Sequence, residues 1–214
     1  MDLSYVPPCN SEDIELDESL SAFDSLFQLR RLKVFKWVNL NTHWLIRVLG
    51  NNYNLQELCL VDFTGFQRFD QCLVLENLTR ICLESPLDEN PGFSQLVRYC
   101  PNLDALKYLV TVSRHTSELC RNIWCCAKLS TLDLVGSPSP LIAMTPQTED
   151  TYVMLIESLS HLQSFVFDAE SLRPRICQVL LNLHCNWLER IDLTVHQPKT
   201  EDFSTANMIL ASYF

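Results

Sequence analysis

Hydrophobic residues recur along the chain in one short pattern, Leu-x-x-Leu-x-Leu, in which Ile, Val, Phe or Tyr replaces some of the leucines. The pattern occurs seven times, and successive starts lie 26, 23, 25, 26, 33 and 26 residues apart. The motifs are Leu29-Leu32-Val34, Leu55-Leu58-Leu60, Leu78-Ile81-Leu83, Leu103-Leu106-Tyr108, Leu129-Leu132-Leu134, Leu162-Phe165-Phe167 and Leu188-Ile191-Leu193. One such motif arises easily by chance, but seven at nearly even spacing indicate an internal repeat.

Each motif predicts a strand, and the residues before it predict a helix. The last two apolar residues of a motif are two apart, so their side chains lie on one face of a strand. Upstream, apolar residues precede most motifs by three and six positions, which follows one face of a helix. In Phe93, Leu96, Val97 and Cys100 the helical spacing i, i+3, i+4, i+7 is complete. Each repeat is therefore predicted to be a strand, a loop and a returning helix.

These features predict an α/β leucine-rich repeat solenoid of about seven repeats. A single strand-and-helix unit cannot bury its own apolar face, whereas stacked units share one continuous core. The expected shape is a horseshoe, with parallel strands on the concave face and helices on the convex face.

The composition along the chain predicts one domain with a lead-in. Residues 1–19 are acidic and polar, and we expect them to be disordered. Residues 20–214 form the repeat domain. The long spacing of 33 residues comes from a Pro/Ser-rich insertion at 136–150, which is predicted to be a loop ending where Asp150 or Thr151 caps a helix.

Charge and hydropathy argue against two classes of partner. The formal net charge of −10 disfavours non-specific nucleic-acid binding, which needs a basic surface. No stretch approaches 18 uncharged apolar residues, so we expect no membrane partner. The chain does not start with a basic segment followed by an apolar run, so no signal peptide is predicted. A cytoplasmic or nuclear location with reduced cysteines is therefore expected.

The cysteines and histidines do not form a predicted catalytic or metal site. Of the ten cysteines, Cys72, Cys100, Cys126 and Cys185 occupy positions where sister repeats carry core residues, so they are expected to act as small hydrophobes. No Cys or His spacing matches a metal site. With only four glycines, a phosphate-binding loop is not expected. We expect no enzyme activity and no cofactor.

A partner is predicted to contact the outward-facing residues of the strands. Side chains that alternate with the inward apolar ones point to the concave surface. Charged and aromatic side chains there are the candidates for protein binding. They are Arg31, Lys33, Phe35, Glu57, Arg80, Glu84, Lys107, Asp133, Asp168, Arg190 and Asp192. Cations dominate the first strand and acids the last three, which predicts a charge gradient along this surface.

One junction resembles a known family. The segment Leu96 to Leu106 contains Cys100-Pro101-Asn102-Leu103, with a predicted helix before it and Leu-x-x-Leu after it. This junction and the period of about 26 residues resemble the repeat region of F-box leucine-rich repeat proteins. The resemblance implies substrate recognition for a cullin-type ubiquitin ligase. Residues 1–19 contain no F-box, so a Skp-type adaptor is expected only if an F-box exists outside this chain.

Three functions are compatible with the sequence. The first is a protein-binding module that recognises substrates as in F-box ligase subunits. The second is a stand-alone scaffold or inhibitor without a ubiquitin role. The third is a ligand-sensing repeat domain of a larger immune or effector protein. All three predict a protein partner or ligand held by the strands.

Overall fold

The computed structural model describes residues 2–3, 28–35, 42–69, 73–85, 90–110, 114–136, 146–168, 173–184 and 188–194. Its strands are β1 (Asp2–Leu3), β2 (Arg31–Phe35), β3 (Glu57–Val61), β4 (Arg80–Glu84), β5 (Ala105–Val110), β6 (Thr131–Gly136), β7 (Ser164–Asp168) and β8 (Arg190–Thr194). Its helices are α1 (Thr42–Asn51), α2 (Gly92–Arg98), α3 (Arg114–Ile123), α4 (Pro146–Ser158) and α5 (Pro174–His184). The strands form one parallel sheet in chain order, which confirms the predicted α/β repeat solenoid.

The register of the sheet matches the register of the motif. Leu32 pairs with Leu58, and Leu58 pairs with Ile81, so equivalent motif positions stack from one repeat to the next. The inward motif residues within β2 to β7 are at most 3% exposed. On the last strand, Ile191 is 42% exposed. Strands with this repeated motif therefore pair without a shift in register.

Helices pack on the inward face of the sheet and complete the core. The ring of Phe93 in α2 stacks on Tyr108 of β5 with centroids 6.4 Å apart. Tyr152 of α4 meets Phe167 of β7 edge-on at 5.3 Å. Cys100 and Cys126 are fully buried, as predicted for core positions. Cys72 and Cys185 lie outside the described residues.

The connection between β3 and β4 departs from the predicted repeat. Within residues 62–69 and 73–79, which the structure describes, the chain forms no helix. Three buried rings, Phe63, Phe66 and Phe69, fill the helix position instead and meet edge-on at 6.4 and 6.1 Å. The prediction that a helix occurs in every repeat is therefore wrong for this one.

Side chains of the following repeat satisfy the backbone of this connection. The backbone N–H of Phe63 donates to Ser85 Oγ at 2.7 Å. The N–H of Phe66 donates to Asn90 Oδ1 at 3.2 Å. The N–H of Phe69 donates to Gln95 Oε1 at 2.9 Å. Because buried N–H groups need partners, these three acceptors permit a non-helical backbone inside the core.

The predicted cap of the fourth helix is wrong. Helix α4 begins at Pro146, so Asp150 and Thr151 lie within it, and Thr151 Oγ1 donates to the carbonyl of Gln147 at 2.9 Å. Proline is favoured in the first turn because the helix leaves its missing N–H unused. The predicted insertion at 136–150 therefore ends in helix, and its residues 137–145 lie outside the described part of the chain.

The first strand was not predicted from the motif. Asp2 and Leu3 pair in parallel with Lys33 and Val34, so the edge of β2 is extended by two residues. Residues 4–19 of the predicted lead-in lie outside the described residues.

Candidate functional site

Outward side chains of strands β2 to β8 form a surface that we call the open face. The in-register pairing arranges them in rows that run across the strands. One row is Arg31, Glu57, Arg80, Ala105, Thr131, Ser164 and Arg190, and the next is Lys33, Cys59, Cys82, Lys107, Asp133, Val166 and Asp192. Nine of the eleven predicted contact residues are exposed or partly buried there. The side chains of Phe35 and Asp168 lie outside the description, although their backbones pair within the sheet.

Ion pairs connect neighbouring strands of the open face. Glu57 lies between Arg31 and Arg80, with N–O distances of 3.1 Å to each. Lys107 Nζ donates to Glu84 Oε1 at 2.7 Å. That bond lowers the pKa of Glu84 and raises the pKa of Lys107. Since these side chains are largely solvated, each pair contributes at most about 1 kcal/mol, and the pairs partly cancel the charges behind the predicted gradient.

At the far end of the face, Arg190 pairs with Asp192 of its own strand. This bond raises the pKa of the Arg190 guanidinium, which stays charged. At the other end, Lys33 has no carboxylate within ion-pair distance among the described residues. The positive charge near β2 is thus only partly neutralised by carboxylates. The negative charge near β6 and β8 is likewise only partly neutralised by cations.

A depression of about 280 Å³ lies in the middle of the open face, across β3 to β6. Short outward side chains leave this space, namely Cys59, Cys82, Ala105 and Thr131. Longer charged side chains also line it, namely Glu57, Arg80, Lys107 and Asp133. Its volume is below the roughly 300–1,000 Å³ typical of small-molecule pockets. The depression therefore suits one side chain of a partner better than a whole cofactor.

Asp133 is the least satisfied charged group of the depression. It is half-buried, and its Oδ1 atom is buried without a hydrogen-bond donor among the described residues. Burial raises the pKa of this carboxyl. Lys107 and Arg190 oppose the rise, whereas Glu84 and Asp192 add to it. A carboxylate oxygen that is buried away from water without a donor is unfavourable. A ligand that donates a hydrogen bond to it would satisfy this oxygen.

The predicted set omitted the uncharged members of this site. The predicted contact residues were selected because they are charged or aromatic. This criterion excludes four uncharged, non-aromatic residues, namely Cys59, Cys82, Ala105 and Thr131. A signal was present, because Cys59 and Cys82 occupy the same outward position in consecutive motifs. Residue size at outward positions, rather than charge, locates the depression.

Comparisons with known proteins do not place the chain in a family. No family model matches the chain, and no curated protein matches it. A search of solved structures finds the tropomodulin C-terminal domain of Caenorhabditis elegans at 10% sequence identity and a TM-score of 0.42. That match covers 92% of this chain and 90% of the other.

The described residues include neither a metal-binding cluster nor a membrane-spanning helix. No group of three or more His, Cys, Asp or Glu side chains among them is placed to hold a metal ion. None of the helices in this part of the chain has the length and apolar character needed to span a bilayer.

Proposed function

We propose that the chain is a protein-binding repeat module, and that its open face holds an extended segment of a partner that inserts a basic side chain into the depression. The observation that carries this proposal is that Asp133 lines the depression and that its buried Oδ1 atom has no donor among the described residues. The module has no catalytic role in this proposal.

A partner's Arg or Lys side chain supplies the chemistry that Asp133 lacks. An ammonium or guanidinium group donates to a carboxylate in a short, charge-assisted hydrogen bond. Arginine in particular combines a planar donor with an apolar stem and is enriched among interface anchors. The apolar part of the stem would contact the short side chains that line the depression, including Cys82 and Ala105.

Charge on the open face favours one orientation of such a segment. Lys33 at the β2 end would attract an acidic residue of the partner, whereas Asp133 and Asp192 would attract basic ones. Complementary charges of this kind set orientation and association rate more than affinity. In this proposal, the predicted contact residues belong to one surface with two ends of different sign.

A finer version of the proposal gives the module a role in ubiquitin transfer. Its support is the Cys100-Pro101-Asn102-Leu103 junction, which resembles F-box repeat proteins. Co-purification with a Skp-type adaptor would separate this role from those of a stand-alone scaffold or inhibitor and of a ligand-sensing domain, which need no adaptor. The proposed basic-side-chain site is independent of the choice among these three.

The site is tested by selecting displayed random peptides on the intact chain and measuring the binding of the enriched sequences. We expect these peptides to share a basic residue at one position. Asp133→Asn and replacement of that basic residue with alanine should then be non-additive, with a coupling of about 1.5–3 kcal/mol, as for a hydrogen bond to a charged group. Glu157→Gln, a matched loss of one negative charge at an exposed residue of α4, should show no coupling.

Binding should also depend on pH with a defined sign. Because the pKa of Asp133 is raised, acidification neutralises it earlier than an ordinary aspartate. Affinity should therefore fall as the pH is lowered through this pKa and level off above it, and Asp133→Asn should flatten this profile. Enrichment of acidic peptides, or equal coupling for Asp133 and Glu157, would contradict the proposal.

A further inference from the structure

Cys59 and Cys82 are directly opposed on neighbouring strands. They are register partners in the pairing of β3 with β4, and both line the depression. Adjacent strands lie about 4.7–4.9 Å apart, which falls within the roughly 4.4–6.8 Å between Cα atoms that a disulfide spans. Because both side chains point outward from the same row, a bond between their sulfurs requires little backbone movement.

The surroundings of the two thiols make them unequal. A hydrogen bond from Cys82 lowers the pKa of Cys59, and Lys33 and Lys107 lower it further, against the opposing effects of burial and Glu84. The same bond raises the pKa of Cys82, whose Sγ atom also lies 3.5 Å from Glu84 Oε1. One sulfur is therefore favoured as a thiolate while its neighbour keeps a proton.

Other described cysteines lack this combination. Cys100, Cys120 and Cys126 are buried in the core, and burial raises the pKa of Cys120 and of Cys126 to about 12. Cys125 is exposed, but it lies in the turn after α3, and its neighbour Cys126 is buried. Reactive cysteines are accessible and favoured as thiolates, often beside a resolving cysteine. Cys59 satisfies both conditions, and Cys82 lies opposite it as the resolving cysteine.

We propose that Cys59 and Cys82 form a reversible dithiol–disulfide site on the open face, with hydrogen peroxide as the oxidant. The Cys59 thiolate attacks one peroxide oxygen, the O–O bond breaks, and the released hydroxide takes up a proton to leave as water. Cys59 is then a sulfenic acid. The Cys82 sulfur attacks the Cys59 sulfur, the S–S bond forms, the S–O bond breaks, and the hydroxyl leaves as water with the Cys82 proton. Two thiols lose two electrons, and one peroxide becomes two waters.

This site does not depend on the proposed partner. Bond formation removes the thiolate and joins two strands across the depression, so it alters the space that the depression offers. A thiol reductant restores both thiols by exchange.

The test treats the intact chain with hydrogen peroxide and maps the products by mass spectrometry. We expect the loss of two hydrogens, a linked peptide pair containing residues 59 and 82, and reversal by dithiothreitol. Oxidation of Cys59 should be roughly ten-fold faster than that of Cys125, because Cys59 is favoured as a thiolate and lies beside a resolving cysteine. In Cys82→Ser, a sulfenic acid should accumulate at Cys59 and be trapped by dimedone.

A control variant and a second chemical probe test whether the two thiols act as a pair. Cys125→Ser should leave the linked peptide pair unchanged. Phenylarsine oxide, which bridges two neighbouring thiols without oxidation, should bind the reduced chain in a 1:1 ratio and lose this binding in either Cys59→Ser or Cys82→Ser. Linkage of other cysteines in place of this pair, Cys59 oxidation no faster than that of Cys125, or arsenical binding that survives both substitutions would overturn it.

Discussion

Replacing Phe66 with alanine is expected to lower the free energy of unfolding by about 3–5 kcal/mol. The Phe66 side chain is completely buried, and its ring contacts both Phe63 and Phe69 edge-on. These rings occupy the place of a helix between β3 and β4, so removing the central ring leaves a cavity in the core of this repeat. Urea unfolding followed by circular dichroism measures the loss.

The control for Phe66→Ala is Val74→Ala in the same connection. Val74 is 55% exposed, so its truncation should change the unfolding free energy by no more than about 0.5 kcal/mol. A loss below about 1 kcal/mol for Phe66→Ala would show that the three rings do not form the core of this repeat.

Asn90→Ala is expected to cost about 2–4 kcal/mol, because it leaves two buried backbone groups without partners. Asn90 Oδ1 accepts the N–H of Phe66 at 3.2 Å, and its Nδ2 donates to the carbonyl of Phe63 at 2.6 Å. The side chain itself is fully buried. The same urea titration measures the effect.

Asn77→Ala provides the matched control for Asn90→Ala. Asn77 Nδ2 also donates to a backbone carbonyl, that of Tyr53 at 2.9 Å, but this bond is exposed to solvent. Water can replace it, so the cost should be within about 0.5 kcal/mol of zero. Equal losses for the two asparagines would contradict the claim that Asn90 stabilises the non-helical connection.

The strands could be predicted from the sequence because one short motif encodes them. In Leu58 and Leu60, as in every motif, alternation fixes which side chains point inward, and stacking of identical units then fixes the register. Helices α1, α2 and α3 follow from apolar residues three and four apart. The spacing of apolar residues along the sequence therefore predicts most of this fold.

The structure of the connection after β3 could not be predicted from the spacing of its apolar residues. Phe63, Phe66 and Phe69 are three apart and favour a helix by periodicity alone. The structure is irregular because Ser85, Asn90 and Gln95, which lie 22 to 26 residues further along, accept their backbone N–H groups. No property of the segment itself indicates these partners.

The candidate site depends on the same kind of long-range information. Sequence alternation placed Asp133 on the outward face, but its orphaned oxygen follows from neighbours on several other strands. The depression likewise requires short side chains on four adjacent strands at once. A list of charged residues could identify the surface but not its centre.

The central claim is that the open face binds the partner through its depression. A bulky side chain introduced into the depression tests this claim most directly. Ala105→Trp places a large side chain on the lining of the depression, whereas Met154→Trp adds the same ring at an exposed residue of helix α4. Affinity for the selected basic peptide is measured by calorimetry for both variants. Ala105→Trp should weaken binding at least ten-fold, or about 1.4 kcal/mol, and Met154→Trp should leave it unchanged. Unchanged affinity in Ala105→Trp, or a comparable loss in Met154→Trp, would contradict the claim.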